Sequence, residues 1–289
     1  MATYNGERYI REQLESIWNQ SVKPDEIVIS DDHSNDNTLA VIDHFTKQTG
    51  APVVLIKNQE NHGFIKNFHI ALEAVKGDII FLSDQDDLWL PGRIEKCMEI
   101  FQNHSEILAL SCGIIITDSI DNSVSIDSNT KKTHLKQVSL HSFLRHPKYP
   151  GMAMAVRKSV IKDKIFTDNT EAAHDWLLNY CALQKGGMYA FQTPLVLYRQ
   201  HDQNTIGSLQ SGNWDQAGQK RADMLTGIVT NLQSVHEDSV YEKKLTACFI
   251  KRSQLIKEKK AMNLLIHDLF HLRFVSLKSI AGDLYSVHE

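Results

Sequence analysis

The sequence predicts an α/β protein built on a mostly parallel sheet flanked by helices, with a helical extension at its C-terminal end. Three observations predict it. Helix-like and strand-like segments alternate from Tyr9 to Leu82. Two of the strand segments, Ile27-Val28-Ile29-Ser30 and Ile79-Ile80-Phe81-Leu82, are short apolar runs that read as buried strands and lead directly into acid. From Asp215 onward the pattern turns helical and lysine-rich. Strand and helix units in this order imply parallel strands covered on both faces.

Each element has its own signal. Ile10, Leu14, Ile17 and Trp18 recur at helical spacing within Tyr9 to Asn19. Lys23-Pro24-Asp25 is a turn, and the β-branched run from Glu26 to Ser30 follows it. A polar loop, Asp31 to Asn37, leads into a helix over Thr38 to Gln48; Val53 to Ile56 is a strand, Phe64 to Val75 a helix, and Gly77-Asp78 the turn before Ile79. The Ser-, Asp- and Asn-rich stretch from Thr117 to Thr133 reads as a mobile loop.

Composition narrows the function. The 289 residues are 42% hydrophobic and 23% charged, enough apolar side chain to build a core. Lys+Arg of 31 against Asp+Glu of 35 gives a net charge of -4, so no basic footprint points to nucleic acid. Cys97, Cys112, Cys181 and Cys248 are widely spaced, which favours buried thiols in a reducing compartment over a disulfide frame or a zinc site. No signal peptide opens the chain, and its most apolar stretch, Leu108 to Ile116, falls short of the ~20 residues a bilayer span needs. The expected location is the cytoplasm, as a soluble or peripheral protein.

Ligands of parallel sheets bind beyond the carboxyl ends of the strands, where this chain places Asp31-Asp32 and Asp84-Gln85-Asp86-Asp87. Clustered carboxylates repel one another unless a cation shares the site. Mg²⁺ takes one or two carboxylates and completes its shell with phosphate oxygens and water, so a metal–diphosphate site suits the second cluster. The competing reading is that these acids cap the helix near Pro91. Asp31 to Asp36 imitates a calcium loop but has Asn37 where the tight turn requires Gly, and Asp36 reads as a helix cap. His267-Asp268-Leu269-Phe270-His271 is close to a zinc-protease pattern but carries Asp in place of the Glu base, and reads as an interfacial helix. Asp175 in His174-Asp175-Trp176 reads as a cap, or as a functional acid if the fold carries it across a cleft from the acidic cluster.

Together these pieces resemble a family 2 glycosyltransferase of the GT-A, Rossmann-like fold. The matching motifs are Ala2-Thr3-Tyr4-Asn5-Gly6, Asp31-Asp32-His33-Ser34, Asn61-His62-Gly63 with Asn67-Phe68, Asp84-Gln85-Asp86-Asp87-Leu88-Trp89, His174-Asp175-Trp176 and Tyr198-Arg199-Gln200-His201. They occur in family order over residues 1–207 and look most like bacterial rhamnosyltransferases of O-antigen or capsular polysaccharide synthesis. The resemblance implies a catalytic domain at 1–207 and a helical extension at 208–289. It implies that Tyr4 stacks on the nucleotide base and that Asp32 accepts a hydrogen bond from its imide N–H. Ala2, Asn61, Gly63, Asn67, Asp84 and Arg199 complete the nucleotide-sugar site. Asp86 would hold Mg²⁺ or Mn²⁺ with the donor diphosphate, His201 would join the metal site, and Asp175 would act as general base in an inverting displacement.

The implied donor is a dTDP- or UDP-sugar, foremost dTDP-L-rhamnose with UDP-glucose or UDP-galactose as alternatives, and the acceptor a lipid-linked saccharide. Two other classes compete: an inactive scaffold of the assembly complex, and a metal-dependent phosphohydrolase acting on the donor. Family members carry a hydrophobic strand ahead of the position of Ala2, and Met1 stands at its end. The expectation is that this first strand is missing because Met1 is an internal methionine and the recorded chain starts late. Leu264 to Leu277 forms an amphipathic segment that packs on the catalytic domain or, as the rival reading, lies on a membrane surface.

Overall fold

The computed structural model describes residues 1–117, 134–145, 149–161, 173–200, 240–258 and 260–270. The chain divides into two units: Met1–Val138, Tyr149–Lys162 and His174–Thr205 form the first, and Ser139–Lys148, Asp163–Ala173 and Ile206–Glu289 the second.

The first unit opens with β1 (Ala2–Thr3), α1 (Ile10–Trp18), β2 (Ile27–Asp31), α2 (Thr38–Thr49), β3 (Val53–Lys57), α3 (Phe64–Ala74) and β4 (Ile79–Phe81). From α1 to β4 these are the helices and strands the periodicity predicts, to within one or two residues at each end; β1 is a two-residue strand where the sequence reading expected the first strand to be missing. β1, β2 and β3 form a parallel sheet in that order, with Ala2 opposite Ser30 and Ile27 opposite Val53. β2 is buried along its whole length, which explains its unbroken apolar run. Gly50 ends α2 in the left-handed conformation that glycine adopts without a side-chain penalty (φ 66°).

The sheet changes character after β4. β5 (Leu88–Trp89), α4 (Arg93–Asn103), β6 (Ala109–Thr117), β7 (Lys136–Gln137), β8 (Met154–Arg157), α6 (His174–Gln184) and β9 (Met188–Arg199) follow, with α5 (Leu140–Arg145) in the second unit. The second sheet has the order β4-β8-β6-β9-β5, with β7 on β9. Here only β6 and β9 pair in parallel; β4–β8, β6–β8, β5–β9 and β7–β9 are antiparallel. The sheet is therefore more mixed than the alternation of elements predicts, because β7 and β8 enter it antiparallel to their neighbours. A register shift at Gly113 bends β6 against β9. A Cβ there would lie 2.2 Å from the Gln192 carbonyl oxygen, so only glycine permits that approach.

β1 contributes two residues, and beside it the two sheets part around a cavity of about 330 Å³. Ile27 and Val28 line one side and Ile79, Ile80, Phe81 and Leu82 the other, with Phe68 and Trp89 among the remaining walls. The four cysteines are free and buried.

In the second unit α7 (Val240–Lys257) and α8 (Ala261–Phe270) pack together. The buried Arg252 and Asp268 pair at 3.2 Å, and His267 Nδ1 lies 3.1 Å from Asp268. Asp268 of the zinc-like motif therefore serves an ion pair; His271 lies outside the described residues. No described helix is long and apolar enough to cross a membrane. The segments 118–133 and 271–277, which carry the mobile-loop reading and the end of the amphipathic one, lie outside the described residues.

Candidate active site

The acidic segment leaves the carboxyl end of β4 and Asp32 the carboxyl end of β2, as the strand pattern predicts. Asp31 and Asp32 divide their work. Asp31 accepts the Thr3 hydroxyl at 2.8 Å, and the Ser34 N–H at 2.9 Å and hydroxyl at 2.6 Å, tying the polar loop to β1. Asp32 turns the other way: its Oδ1 accepts the His62 N–H at 2.9 Å and the Asn58 amide at 3.2 Å, and its Oδ2 accepts the Gly63 N–H at 2.8 Å. The buried Asn67 also accepts from the Asn58 amide, at 3.0 Å, and donates to the Thr3 carbonyl at 3.2 Å. Asn61 Oδ1 also accepts the Gly63 N–H, at 3.0 Å. Gly63 sits at φ 82°, a conformation that selects glycine at the start of α3. Asp32, Asn61, Gly63 and Asn67 thus form one connected group around the end of β1, which carries Ala2. Tyr4 leaves that strand with its side chain 44% exposed. Asp36 accepts the Thr38 N–H at 2.9 Å from the position before the N-cap, which is Asn37 and not Asp36 as read from the sequence.

Asp84, Gln85 and Asp86 are half-buried and Asp87 is buried. Burial pushes Asp84 well above the usual carboxylate range, and the negative charges of Asp86 and Asp175 push it further. Burial, with Asp84 and Asp86 nearby, does the same to Asp87. Asp87 Oδ1 accepts the Arg199 N–H at 3.2 Å, and its buried Oδ2 has no hydrogen-bond partner among the described residues. A fully buried guanidinium lies close to this cluster. Arg93 donates to the Met152 carbonyl at 2.5 Å, lies 4.1 Å from the centre of the Trp89 ring, and favours ionised Asp84 and Asp87 by its charge. Sequence reasoning missed Arg93; its only signal was an arginine inside the amphipathic pattern after Pro91-Gly92.

Asp175 lies in the first turn of α6, and its charge is felt at Asp84. The fold therefore brings together the two acidic features that sequence spacing left apart. Its Oδ1 accepts the Trp176 N–H at 2.7 Å and its Oδ2 the Gly151 N–H at 2.9 Å. Burial raises its affinity for a proton, and these N–H donors lower it. The preceding His174 stacks on Phe68 of α3 with ring centroids 3.6 Å apart, and burial drives it down to about 3, so it is neutral. Arg199 ends β9 with its guanidinium 2.6 Å from Glu12 and 4.5 Å from the centre of the Tyr9 ring. His201 lies outside the described residues.

The profile described as Glycosyl transferase family 2 matches residues 1–163. The chain belongs to this family. This glycosyltransferase is 29% identical over 222 residues to the dTDP-rhamnosyl transferase RfbG of Shigella flexneri, covering 72% of this chain and 74% of that one. It is 27% identical over 228 residues to an uncharacterized glycosyltransferase of Nostoc sp., covering 77% and 70%. Among solved structures, S. aureus TarS 1-349 in complex with UDP-GlcNAc superposes with a TM-score of 0.65 at 15% identity, covering 99% of the glycosyltransferase and 89% of TarS. The mannosyltransferase PcManGT from Pyrobaculum calidifontis, solved with GDP-Man and Mn2+, gives 0.56 at 15% identity, over 99% and 84%. These likenesses establish the GT-A fold expected from the motifs.

Among the described residues no three acids, histidines or cysteines are grouped to hold a metal by themselves. The chemistry of the acidic segment nonetheless fits a divalent ion. Mutually repelling carboxylates and an unpartnered buried Asp87 oxygen favour a nearby positive charge, and Mg²⁺ commonly shares one or two carboxylates with phosphate oxygens.

Proposed function

We propose that this glycosyltransferase moves a sugar, L-rhamnose from dTDP-L-rhamnose, onto a lipid-linked saccharide in bacterial surface-polysaccharide synthesis, with inversion at the anomeric carbon. The observation that carries the mechanism is that Asp175 is bonded to Gly151, three residues before Met154, whose carbonyl accepts the Leu82 N–H just ahead of the acidic segment, and that its charge acts on Asp84. A donor whose diphosphate lies on that segment has its C1 beside Asp175. The carboxylate takes the proton from an acceptor hydroxyl, whose oxygen attacks C1 from the face opposite the diphosphate. The bond from C1 to the diphosphate oxygen breaks, and the nucleoside diphosphate leaves. The Gly151 and Trp176 N–H groups hold the Asp175 oxygens in place.

Tyr4 supplies the stacking platform for the base and Asp32 the acceptor for its imide N–H, contacts that suit thymine and uracil alike. Ala2, Asn61, Gly63 and Asn67 shape the floor of this subsite, with Asp84 and Arg199 on the diphosphate side. Asp86, with His201, would hold Mg²⁺ or Mn²⁺. That ion supplies neutralisation of the charge that builds on the leaving diphosphate. The rhamnose donor is supported by similarity to the Shigella enzyme, whose own donor is dTDP-rhamnose by name; UDP-glucose and UDP-galactose are the alternatives. Residues 1–207 form the catalytic domain in this reading and 208–289 its helical extension.

A thermal-shift panel of dTDP, UDP, GDP and ADP, each with Mn²⁺, Mg²⁺ or EDTA, tests the donor site. A ligand at 100 times its Kd stabilises the fold by about 2.7 kcal/mol. The expected result is a shift with dTDP or UDP that is lost in EDTA and in Asp86→Ala. Transfer assays with dTDP-rhamnose, UDP-glucose and UDP-galactose then assign the sugar. A larger shift with GDP or ADP, or none with any nucleotide, overturns the reading.

A further inference from the structure

Gln85, the residue between Asp84 and Asp86, is bonded to the backbone of Tyr4. Its Nε2 donates to the Tyr4 carbonyl at 3.0 Å, and its Oε1 accepts the Tyr4 N–H at 3.0 Å. The side-chain amide thus pairs with both the N–H and the C=O of one residue, as a neighbouring strand would. Two residues on, a Cβ on Gly6 would lie 2.2 Å from Gln85 Oε1 and 2.6 Å from Cδ. The loop passes so close to the Gln85 amide that a methyl group at Gly6 and the bonded position of that amide exclude each other.

The rest of the loop is held from a different direction. The N–H groups of Asn5, Gly6 and Glu7 donate to Ser34 Oγ at 2.9 Å, Thr38 Oγ1 at 2.7 Å and Asp36 Oδ2 at 3.0 Å. All three acceptors belong to the segment that follows β2, whereas the Tyr4 contact comes from the acidic segment that follows β4. Asn5 adopts a left-handed φ of 47°, so the chain turns sharply just after the residue Gln85 grips. Tyr4 itself is exposed.

We propose that Gln85 is a positioning residue that couples the base subsite to the diphosphate subsite. By bridging Tyr4 to the Asp84–Asp86 segment it fixes the separation between the aromatic platform and the acids, and so matches the site to a nucleoside diphosphate rather than to either half alone. The inference rests on the donor reading given under Proposed function. It also gives a reason for an uncharged amide between two acids: a carboxylate there could accept the Tyr4 N–H but not donate to its carbonyl.

Calorimetric titration of the full chain with UDP, dTDP, uridine and inorganic pyrophosphate, all with Mn²⁺, tests it in four backgrounds: the unchanged chain, Gln85→Ala, Gly6→Ala and the double variant. Loss of two partly exposed hydrogen bonds is expected to weaken nucleoside diphosphate binding about tenfold in Gln85→Ala, while pyrophosphate binding stays unchanged. Donor KM rises with it and kcat changes little. Gly6→Ala alone weakens nucleoside diphosphate binding to a similar degree, but adds nothing in the Gln85→Ala background, where its methyl has room. Gln85→Met, which keeps the bulk without the amide, behaves as Gln85→Ala but leaves Gly6→Ala damaging. Additive effects of the two alanines, or unchanged UDP and dTDP affinity in Gln85→Ala when the unchanged chain binds them, overturn the coupling alone. An unchanged chain that binds neither nucleotide overturns the donor reading and this inference with it.

Discussion

The backbone N–H of Gly151 donates to Oδ2 of Asp175 at 2.9 Å, and no side chain fits at Gly151 because a Cβ would meet His174 Nε2 at 2.9 Å and Asp175 Cβ at 3.3 Å. The glycine both supplies a bond to the proposed base and leaves room for the helix that carries it. Gly151→Ala is expected to push the start of α6 away and cut turnover about 100-fold, the cost typical of a misplacement near 1 Å. Donor affinity, measured by titration with UDP or dTDP, changes little. A parallel loss of nucleotide binding would show that the glycine serves the fold of the whole site instead.

Turnover should rise with pH through the pKa of Asp175 and level off above it, because the carboxylate form takes the proton. Burial raises that pKa above the ordinary carboxylate value, so the rise extends to higher pH than a solvated aspartate would give. Asp84 lies within electrostatic reach of Asp175, and the neutral His174 precedes it. Asp175→Asn preserves the Oδ1 acceptor and is expected to lower kcat by about 10²–10⁴-fold without loss of nucleotide binding. A pH–rate profile of both proteins checks this, and an active Asp175→Asn enzyme would move the base elsewhere.

How much of this was legible beforehand depended on the range of the interactions. The helices and strands from Ile10 to Phe81 follow from apolar periodicity and turn residues within a few positions of each other, and the structure reproduces them. The acids at the strand ends were legible for the same reason. Gln85, Gly151 and Arg93 were not, because their roles come from partners 24 to 81 residues distant, and nothing local marks such a contact. The antiparallel entry of β8 was equally hidden: a four-residue strand, Met154 to Arg157, does not announce its direction.

Arg93 is a buried charge next to buried acids, so its removal should cost more than a surface residue's. Its side chain spans the Trp89 ring and the Met152 carbonyl, and its charge lowers the proton affinity of Asp84 and Asp87. Arg93→Met keeps most of the volume and is expected to destabilise the fold by about 3–5 kcal/mol, the usual cost of leaving a buried partner uncompensated. Urea denaturation at neutral pH measures it. A loss below about 1 kcal/mol would mean that the acids are neutral without their counter-charge.

The two buried histidines make the fold sensitive to acid. Burial lowers His174 to about 3; burial, then repulsion from His174, lowers His69 to about 4, against an ordinary value near 6.5. Between those values the unfolded chain binds protons that the native chain does not, so stability rises with pH across that window and falls as pH drops through it. His174→Phe keeps an aromatic ring on Phe68 and removes one titrating group. Its melting temperature should therefore change less between pH 7 and pH 4 than that of the unchanged chain. Identical slopes would place the acid sensitivity on other groups.

The cavity between β2 and β4 leads to a prediction about strand complementation. Ser30 N–H donates to the Met1 carbonyl at 3.0 Å and the Met1 amine donates to the Val28 carbonyl at 2.8 Å, so the β1 ladder on β2 reaches as far as Val28. Ile27 donates to Pro52 on the β3 side, and alternation along a strand then turns the Val28 N–H toward the cavity. On the far wall, Leu82 N–H bonds to Met154 of β8, which by the same alternation turns the backbone groups of Phe81 the other way. The amine in this setting is pushed down to about 5 by burial, so an uncharged amide suits the position better. An engineered run of four β-branched residues joined ahead of Met1 continues the ladder and replaces that amine with a peptide N–H. At roughly 1.5–3 kcal/mol for each apolar side chain fully buried, even two well-seated residues would raise the melting temperature by several degrees. A Gly-Ser run of the same length supplies the amide without the apolar side chains and should give much less. Equal melting temperatures for the two extensions would mean that the cavity does not accept a strand.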